Sequence, residues 1–277
     1  IGVETDDSQA VAWFQKAAGQ NYLRAVMLLG ECLENGYGIQ RDTAQAVALY
    51  TRAHEGGYPP ATCSLGLCYE MGRGVEKDRD RAAQLYRQAA DRGYARAQCN
   101  LGFFYYHGIS VPADDSQAAQ WFQKAADQDY PRAQMLLGEC YENGYGVEKN
   151  IAKAVELYTK AHERGNAAAT CSLGLCYELG TGVEMDKARA VELYRQAAEQ
   201  GDARAQCNLG FCYYQGIGVE TDDKAAVEWF QKAADQEYPR AMMLLGECYE
   251  NGYGIEKDVT KAVELYTKAH EAGHPPA

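Results

Sequence analysis

Paired glutamates are the residues of this 277-residue sequence whose type and spacing could do chemistry. Glu139 and Glu142 are one helical turn apart, and two neighbouring carboxylates can serve as general acid and general base. The same pair occurs again as Glu31 with Glu34 and as Glu247 with Glu250. Because a catalytic site needs a single tuned pair, this recurrence argues against catalysis by these acids.

Histidines and nucleophile motifs give no stronger indication of an enzyme. His54, His162 and His270 each lie at the end of a predicted helix, where an imidazolium would meet the negative end of the helix dipole. No histidine lies at a metal-like spacing from a cysteine. There is no Ser-x-x-Lys, no glycine-rich phosphate loop between a strand and a helix, and no strand pattern. The sequence therefore predicts no catalytic residue, no metal ligand and no cofactor.

The cysteines occupy two positions of a repeated segment, relative to the leucine of a Leu-Gly pair. Those two residues before the leucine are Cys63, Cys99, Cys171 and Cys207, and those three after it are Cys32, Cys68, Cys140, Cys176, Cys212 and Cys248. Cys63 and Cys68 are five residues apart on one helix and therefore point to different faces. We expect reduced, buried thiols, which favours a reducing compartment such as the cytoplasm. A periplasmic or secreted location stays open, because a removed leader would leave no trace in the sequence.

The charge balance excludes two classes of partner. Lys and Arg total 27 against 39 Asp and Glu, which gives a formal net charge of -12. Such a field repels the phosphates of nucleic acids and acidic membrane surfaces. No apolar run approaches the roughly 18 residues of a membrane span. The sequence therefore indicates neither nucleic-acid binding nor membrane insertion.

A repeat of 36 residues positions all of these side chains. Its marker is a Leu-Gly pair, found at Leu29/Gly30, Leu65/Gly66, Leu101/Gly102, Leu137/Gly138, Leu173/Gly174, Leu209/Gly210 and Leu245/Gly246. A fixed period of about 20 to 50 residues is typical of stacked supersecondary units. We predict an all-α fold, an α/α solenoid of stacked helix-turn-helix repeats.

Each repeat contains the signals of two helices. The first helix ends at a glycine column that begins with Gly36, where a left-handed C′ residue is needed. The second helix begins at an N-cap column that includes Asp78 and Asn150, and residues 154 to 161 show its apolar stripe. The glycine of the Leu-Gly pair lies inside the first helix and costs about 1 kcal/mol against alanine. We therefore expect a close approach of the paired helix at that glycine.

A second period of 108 residues lies over the first. Trp13, Trp121 and Trp229 are 108 apart, and the octapeptide ECYENGYG at 139 recurs at 247. Three unit types, a, b and c, alternate, and they carry Met-Leu-Leu-Gly-Glu-Cys, Cys-Ser-Leu-Gly-Leu-Cys and Cys-Asn-Leu-Gly-Phe respectively. We interpret residues 1–277 as a single array of about seven full repeats with partial units at both ends. Residues 1–5 copy the end of a loop, and residues 275–277 copy the first turn of a helix.

The assembled pattern resembles the Sel1-like repeat, a relative of the tetratricopeptide repeat, over the whole chain. That pattern is A-x-x-x-L-G-x-x-Y-x-x-G-x-G-V, then D-x-x-K-A-V-x-W/Y-F/Y-x-K-A-A-x-x-G. Its first half is filled by Ala205, Leu209, Gly210, Tyr213, Gly216, Gly218 and Val219, and its second half by Lys153, Ala154, Val155, Tyr158, Lys160 and Ala161. Ser110 replaces the second turn glycine and Pro112 follows, so we expect an irregular loop from 108 to 114.

The resemblance implies a right-handed α-solenoid superhelix that acts as an adaptor between partner proteins. Cysteine-rich bacterial members of the family join their helix pairs by disulfides between the helix ends. The corresponding helix ends here read Lys-Ala-Ala or Lys-Ala-His. The bridge of that subgroup is therefore not expected.

A candidate binding surface follows from the face that the Leu-Gly helix presents. In tetratricopeptide-like stacks this helix lines the concave side, and residues five and two before the leucine and two and five after it share one face. These columns predict partner-binding residues at Arg96, Cys99, Phe103, Tyr106, Arg132, Met135, Glu139, Glu142, Leu175, Glu178, Arg204, Phe211 and Tyr214. Apolar side chains would supply adaptable contacts, glutamates would select a basic or amide-rich segment, and arginines would hold polar atoms. The alternative is that Met and Cys pack in the core and the charges form a solvated face.

Three functional hypotheses follow from these observations. The first is a scaffold or adaptor that binds a peptide or a partner helix of another protein on its concave surface. The second is a structural array that self-assembles by end-to-end stacking of repeats. The third is a hydrolase, which the recurring acid pairs and the missing motifs disfavour.

Overall fold

The computed structural model describes residues 6 to 273, and within that range the chain forms fifteen α-helices and no β-strand. The helices have 12 or 13 residues each. The predicted all-α fold of helix-turn-helix repeats is confirmed. The interpretations of residues 1–5 and 275–277 concern positions outside the described residues. In the described range no helix has the length and apolarity needed to cross a bilayer.

The chain divides into two compact units. The first contains the chain up to Ala133 together with Tyr145–Val147. Its helices are α1 (Asp7–Gly19), α2 (Leu23–Asn35), α3 (Thr43–Glu55), α4 (Pro59–Met71), α5 (Arg79–Asp91), α6 (Ala95–His107), α7 (Asp115–Ala126) and the start of α8 (Pro131–Asn143). The second unit contains Gln134–Gly144 and the chain from Glu148 onward. Its helices are the rest of α8, then α9 (Ile151–Glu163), α10 (Ala167–Leu179), α11 (Lys187–Glu199), α12 (Ala203–Gln215), α13 (Asp223–Ala234), α14 (Pro239–Asn251) and α15 (Val259–Glu271).

Helices of two kinds alternate along the chain. Even-numbered helices carry the Leu-Gly pair and are called first helices here, and odd-numbered helices are called second helices. First helices pack along the second helices that follow them, as α4 does on α5, and second helices pack on the next first helix, as α11 does on α12. First helices also touch one another, α4 against α6 and α10 against α12. The first helices therefore form one face of each unit, the first-helix face.

The second helices are capped at their starts and the first helices at their ends, as the sequence predicts. All eight residues of the N-cap column accept a hydrogen bond from the backbone N–H three residues later, at 2.8 to 3.0 Å. The glycine column that follows the first helices is left-handed throughout, with φ between 64° and 82°. Such caps satisfy backbone groups that a helix end leaves without partners. They fix where the first helices end and where the second helices begin.

The loop from 108 to 114 is regular, so the expected irregularity is wrong. Ser110 has φ 56°, in the same left-handed region as Gly146 in the equivalent turn, which has φ 67°. The N–H of Asp114 donates to the carbonyl of Tyr105 at 3.0 Å, as Asn150 does to Tyr141 at 2.8 Å. The loop keeps its shape because the caps on either side hold it, although a non-glycine residue in this region costs about 1–2 kcal/mol.

An aromatic ring of the second helix lies against the glycine of every Leu-Gly pair. A Cβ atom built on Gly138 would lie 2.5 Å from Cε1 of Tyr158, and one on Gly210 would lie 2.7 Å from Cδ1 of Phe230. The ring thus fills the space that any other side chain would need. The expected close approach is confirmed, and the approaching group is the ring 20 residues further along the chain.

The residue four positions after the glycine varies with the type of the ring, tyrosine or phenylalanine, that packs on that glycine. Where the ring is a tyrosine, its hydroxyl donates to a glutamate of the first helix: Tyr50 to Glu34 (2.8 Å), Tyr86 to Glu70 (2.5 Å), Tyr158 to Glu142 (2.6 Å), Tyr194 to Glu178 (2.6 Å) and Tyr266 to Glu250 (2.8 Å). Where the ring is Phe122 or Phe230, the glutamate is replaced by Tyr106 or Tyr214. A buried hydroxyl needs a partner and a phenyl ring does not, which explains the match.

All ten cysteines are free and buried, as predicted. Burial raises the pKa of Cys63 and of Cys99 to about 12, so their thiols stay protonated near neutral pH. Cys63 and Cys68 lie in different core clusters, in agreement with their spacing on the helix. The thiols are small packing residues.

Substitution of Gly138 tests the ring contact. Gly138→Ala should lower the free energy of unfolding by about 1–3 kcal/mol through overpacking against Tyr158, although alanine favours a helix by about 1 kcal/mol. Gly138→Leu should unfold its repeat. The measurement is urea unfolding followed by circular dichroism. Gly19→Ala is the control, because a Cβ there meets nothing within 4 Å. An unchanged midpoint for Gly138→Ala would show that the ring leaves room.

Exchange of the ring and its acceptor tests their match. Glu142→Tyr alone should cost about 1–3 kcal/mol, because it leaves the Tyr158 hydroxyl without its partner. Adding Tyr158→Phe should recover part of that loss, because the double variant then copies the pair Phe122 and Tyr106. The check is a double-mutant cycle of unfolding free energies. Strictly additive losses would mean that the two positions are independent.

Candidate functional site

The predicted partner-binding residues lie on first helices in both units. Those in the first unit are Arg96, Cys99, Phe103, Tyr106 and Arg132, and those in the second are Met135, Glu139, Glu142, Leu175, Glu178, Arg204, Phe211 and Tyr214. Most of these side chains are half-buried, and Arg132 is exposed. Cys99 is 0% exposed and has no surface to offer a partner. Met135 packs against the core cluster that contains Tyr158, so it is partly a core residue.

In the first unit, aromatic rings and one arginine form a contiguous group, the first aromatic cluster. The guanidinium of Arg132 lies over the ring of Phe103, 5.4 Å from its centroid. The rings of Phe103 and His107 are 4.2 Å apart, those of Tyr106 and His107 are 4.9 Å apart, and those of Tyr106 and Tyr145 are 5.8 Å apart. The cluster joins α6, the start of α8 and the loop that follows α8.

The second unit repeats this arrangement as the second aromatic cluster. Arg240 lies over the ring of Phe211 at 5.2 Å, and the rings of Tyr214 and Tyr253 are 5.9 Å apart. The hydroxyl of Tyr214 donates to Oε1 of Glu247 at 3.4 Å. Each unit therefore carries a stacked arginine and a pair of tyrosines in the same order along the chain.

Buried asparagines position the two stacked arginines. Asn100 accepts a hydrogen bond from Nη1 of Arg132 at 3.5 Å and donates to Sγ of Cys63 at 3.8 Å. Asn208 accepts from Nη1 of Arg240 at 3.2 Å. Because the asparagines are held in the core, the guanidinium groups are oriented before any partner arrives.

Sequence reasoning missed part of both clusters. Tyr145 and Tyr253 lie in the turn after a first helix and were not among the candidate residues, whereas Arg240 lies in the predicted column five residues before a Leu-Gly leucine. The signal was present, because both tyrosines belong to the octapeptide that recurs intact at a spacing of 108. Their partners Tyr106 and Tyr214 precede them by 39 residues, in the previous repeat. The columns of a single helix do not reveal such a pair.

The acid pairs are divided between two tasks. Glu142 accepts the tyrosine hydroxyl described above, whereas Glu139 faces the charge of Arg204. Burial raises the pKa of Glu139, Arg204 opposes that rise, and Glu142 adds to it. The pKa of Glu31 is raised in the same way, with Arg96 opposing. Because the hydroxyl of Tyr158 already binds the carboxylate of Glu142, the two carboxylates are not arranged as an acid and a base that share a proton.

The histidines link neighbouring repeats through a threonine. His54 and His162 lie in the last turn of their helices, as expected. Nδ1 of His162 is 2.9 Å from Oγ1 of Thr170, and that hydroxyl donates to the carbonyl of Asn166, so the imidazole N–H is the donor to the threonine. Burial lowers the pKa of His162, and Arg189 lowers it further. These effects favour the neutral imidazole, so His162 lies at the helix end as predicted but interacts with its neighbours mainly through the hydrogen bond to Thr170.

The groups that the first-helix face presents are suited to non-covalent binding. They are aromatic rings, guanidinium groups and carboxylates that are half-buried and held by neighbours. Within residues 6 to 273, no three side chains of His, Cys, Asp or Glu converge as a metal ion would require. The aromatic clusters are the feature with the most binding chemistry on this face.

Comparison with solved structures gives two close relatives of the chain. A Sel1 repeat protein from Oxalobacter formigenes is 33% identical, with a TM-score of 0.78, over 91% of this chain and 99% of that one. The protein c5321, a protective antigen present in uropathogenic Escherichia coli strains that displays an SLR fold, is 36% identical, with a TM-score of 0.71, over 95% of this chain. The chain spans 56% of the length of c5321.

A more distant structure shares the fold alone. The immunity protein Pa5087 from Pseudomonas aeruginosa is 24% identical, with a TM-score of 0.51, over 84% of each chain. No curated protein sequence matches the chain.

The repeats themselves match a known family. The sequence model of the Sel1 repeat matches residues 1–22, 23–58, 59–94, 95–130, 131–166, 167–202, 203–238 and 239–274. These segments cover almost the whole chain, and each full one contains one first helix and one second helix. With the two relatives above 30% identity, they show that the chain belongs to the Sel1 repeat family.

Proposed function

We propose that this protein is an interaction scaffold that binds an extended peptide or a partner helix on its first-helix face. Sel1 repeats form a helical scaffold fold that commonly serves protein interaction. The observation that carries the proposal is the aromatic cluster, a stacked arginine beside paired tyrosines that occurs once in each unit. The proposal treats residues 1–277 as one array with a period of three repeats.

The chemistry of the clusters is that of binding hot spots. Tyrosine and arginine are enriched among the residues that dominate interface energies, because they bury a large area and keep a polar group for the partner. Each arginine is already held by a buried asparagine, so little conformational entropy is lost on binding. The rings of Phe103 and Phe211 are half-buried and keep part of their surface for contact.

The other predicted residues contribute unequally to the proposed surface. Leu175 and Met135 supply apolar area next to the core. Glu139, Arg96 and Arg204 supply charge. Glu142 and Glu178 act mainly through the tyrosines that they hold, and Cys99 acts only as core packing. The net charge of -12 favours a partner segment that is neutral or basic.

Self-assembly is a second candidate, favoured by exposed apolar side chains on α1 and α15. Trp13 is 66% exposed, whereas Trp121, 108 residues later, is 6% exposed. Val259 and Val263 on α15 are 53% and 57% exposed. A second copy of the chain could cover these side chains.

Light scattering at rising protein concentration tests self-assembly. A molecular mass that grows with concentration supports it, and a constant monomer mass excludes it.

Removal of the two phenyl rings tests the scaffold proposal. The probe is an array of 15-residue peptides, and the peptides that bind are then measured in solution by fluorescence polarisation. Phe103→Ala combined with Phe211→Ala should lower the affinity for these peptides by about tenfold or more, because loss of a hot-spot ring costs more than about 1 kcal/mol. Unchanged affinities would remove the aromatic clusters from the binding surface.

The matched control changes two exposed side chains that are also 108 residues apart. Gln88 and Gln196 lie on the second helices α5 and α11, away from the first-helix face. Gln88→Ala with Gln196→Ala should leave the affinities unchanged. A loss equal to that of the phenylalanine variant would mean that peptides bind elsewhere.

A further inference from the structure

We infer that a cleft in the first unit, between Glu31 and Arg96, holds the side-chain carboxamide of a glutamine or asparagine in the bound peptide. The inference rests on the proposed function and deepens it, because it names the side chain that the face selects. It concerns a place on the first-helix face separate from the aromatic clusters, and it gives the acid pair and the facing arginine a role.

The cleft has room for a side chain of a bound peptide. Its volume is about 270 Å³, and its walls include Phe14, Glu31, Glu34, Leu67, Arg73 and Arg96. Pockets for whole small molecules are usually about 300–1,000 Å³. The walls combine apolar surface with four charged groups, so an occupant must satisfy polar groups as well as fill space.

Two of the four charges already neutralise each other. Glu34 accepts hydrogen bonds from the hydroxyl of Tyr50 at 2.8 Å and from Nη1 of Arg73 at 3.2 Å. This carboxylate therefore has a proton donor and a cation in place. An occupant of the cleft need not supply a charge to Glu34.

The other two charges are left for the occupant. Among the described residues, the side chains of Glu31 and Arg96 form no hydrogen bond or ion pair with each other or with a neighbour. They are nevertheless close enough for Arg96 to act on Glu31 electrostatically. Burial raises the pKa of Glu31, which means that its carboxylate is short of solvent and gains from a new N–H donor.

A carboxamide is the side chain that complements this pair. It carries an N–H₂ donor for Glu31 and a carbonyl acceptor for Arg96, and it brings no charge. A lysine would meet Glu31 but be repelled by Arg96, and a glutamate would meet Arg96 but be repelled by Glu31. A leucine would displace water from both charged groups and offer them no hydrogen bond in its place. The cleft should therefore prefer a carboxamide side chain to lysine, glutamate or leucine.

The second unit repeats part of this arrangement at a spacing of 108, but Thr181 stands where the first unit has Arg73. Glu139 faces Arg204, with Ser172 and Leu175 in place of Ser64 and Leu67. Here Nη2 of Arg204 donates to Oγ of Ser172 at 3.0 Å. The guanidinium keeps further N–H groups for a carbonyl, so Glu139 and Arg204 are included in the variants below as the counterparts of Glu31 and Arg96.

The test measures residue preference in place of affinity alone. The probe is a randomised library of acetylated and amidated heptapeptides, panned on the purified chain and sequenced. The wild-type chain should enrich glutamine or asparagine at one position by about tenfold over glutamate, lysine and leucine, because each of these leaves a desolvated group unpaired. Binding without any amide preference overturns the inference and leaves the scaffold proposal standing.

Two opposite variants make the preference diagnostic. Arg96→Met with Arg204→Met leaves the glutamates unopposed and should shift the preferred residue to lysine or arginine. Glu31→Gln with Glu139→Gln leaves the arginines unopposed and should shift it to aspartate or glutamate. Each variant is checked for an unchanged thermal midpoint, and either shift alone is sufficient. An amide preference that survives in both folded variants overturns the inference.

Two controls separate this inference from the proposed function. Arg79→Met with Lys187→Met changes two exposed cations that are 108 residues apart and should keep the amide preference. Phe103→Ala with Phe211→Ala should lower the affinity for all peptides but keep the amide preference among those that still bind. If no peptide of any composition binds the wild-type chain, both the inference and the scaffold proposal are overturned.

Discussion

The contact between a glycine and an aromatic ring is the constraint on which the rest of the structure depends. It lets the two helices of a repeat approach so closely that no Cβ fits between them. The glycine costs about 1 kcal/mol of helix stability, whereas burial of an aromatic side chain contributes about 1.5–3 kcal/mol. The gain exceeds the cost wherever the ring is fully buried. Tyr50, Tyr86, Tyr158 and Tyr194 are accordingly among the largest fully buried side chains.

This constraint also decides which polar groups of the first helices are engaged in the core and which are left at the surface. A tyrosine ring brings its hydroxyl into the core, and that hydroxyl engages one glutamate of the first helix. The other glutamate of the acid pair, such as Glu139, is left to face an arginine two repeats later. In the c units the ring is a phenylalanine, and the freed position becomes Tyr106 or Tyr214 of an aromatic cluster. The proposed binding surface thus consists of polar and aromatic side chains that the glycine–ring contact does not use.

The helices, their caps and the glycine contact could be predicted from the sequence because each depends on residues close in the chain or on an exact period. Asp78 as N-cap and Gly36 as C-cap need only local geometry. The clusters depend on contacts between repeats, such as Tyr106 with Tyr145, and the period does not say which loop residue folds back. The regular loop at Ser110 was missed for a related reason, because its neighbours hold a conformation that serine alone disfavours.

The tyrosine and glutamate of each core hydrogen bond belong to a single repeat, and this has a consequence for how the array can change. Recombination that gains or loses whole repeats carries ring, glycine and acceptor together and leaves no hydroxyl stranded. The aromatic clusters behave differently, since Phe103 and Arg132 come from consecutive repeats of types c and a. The number of aromatic clusters in such an array therefore scales with its number of c–a junctions, and shuffling repeat order at constant length would change it.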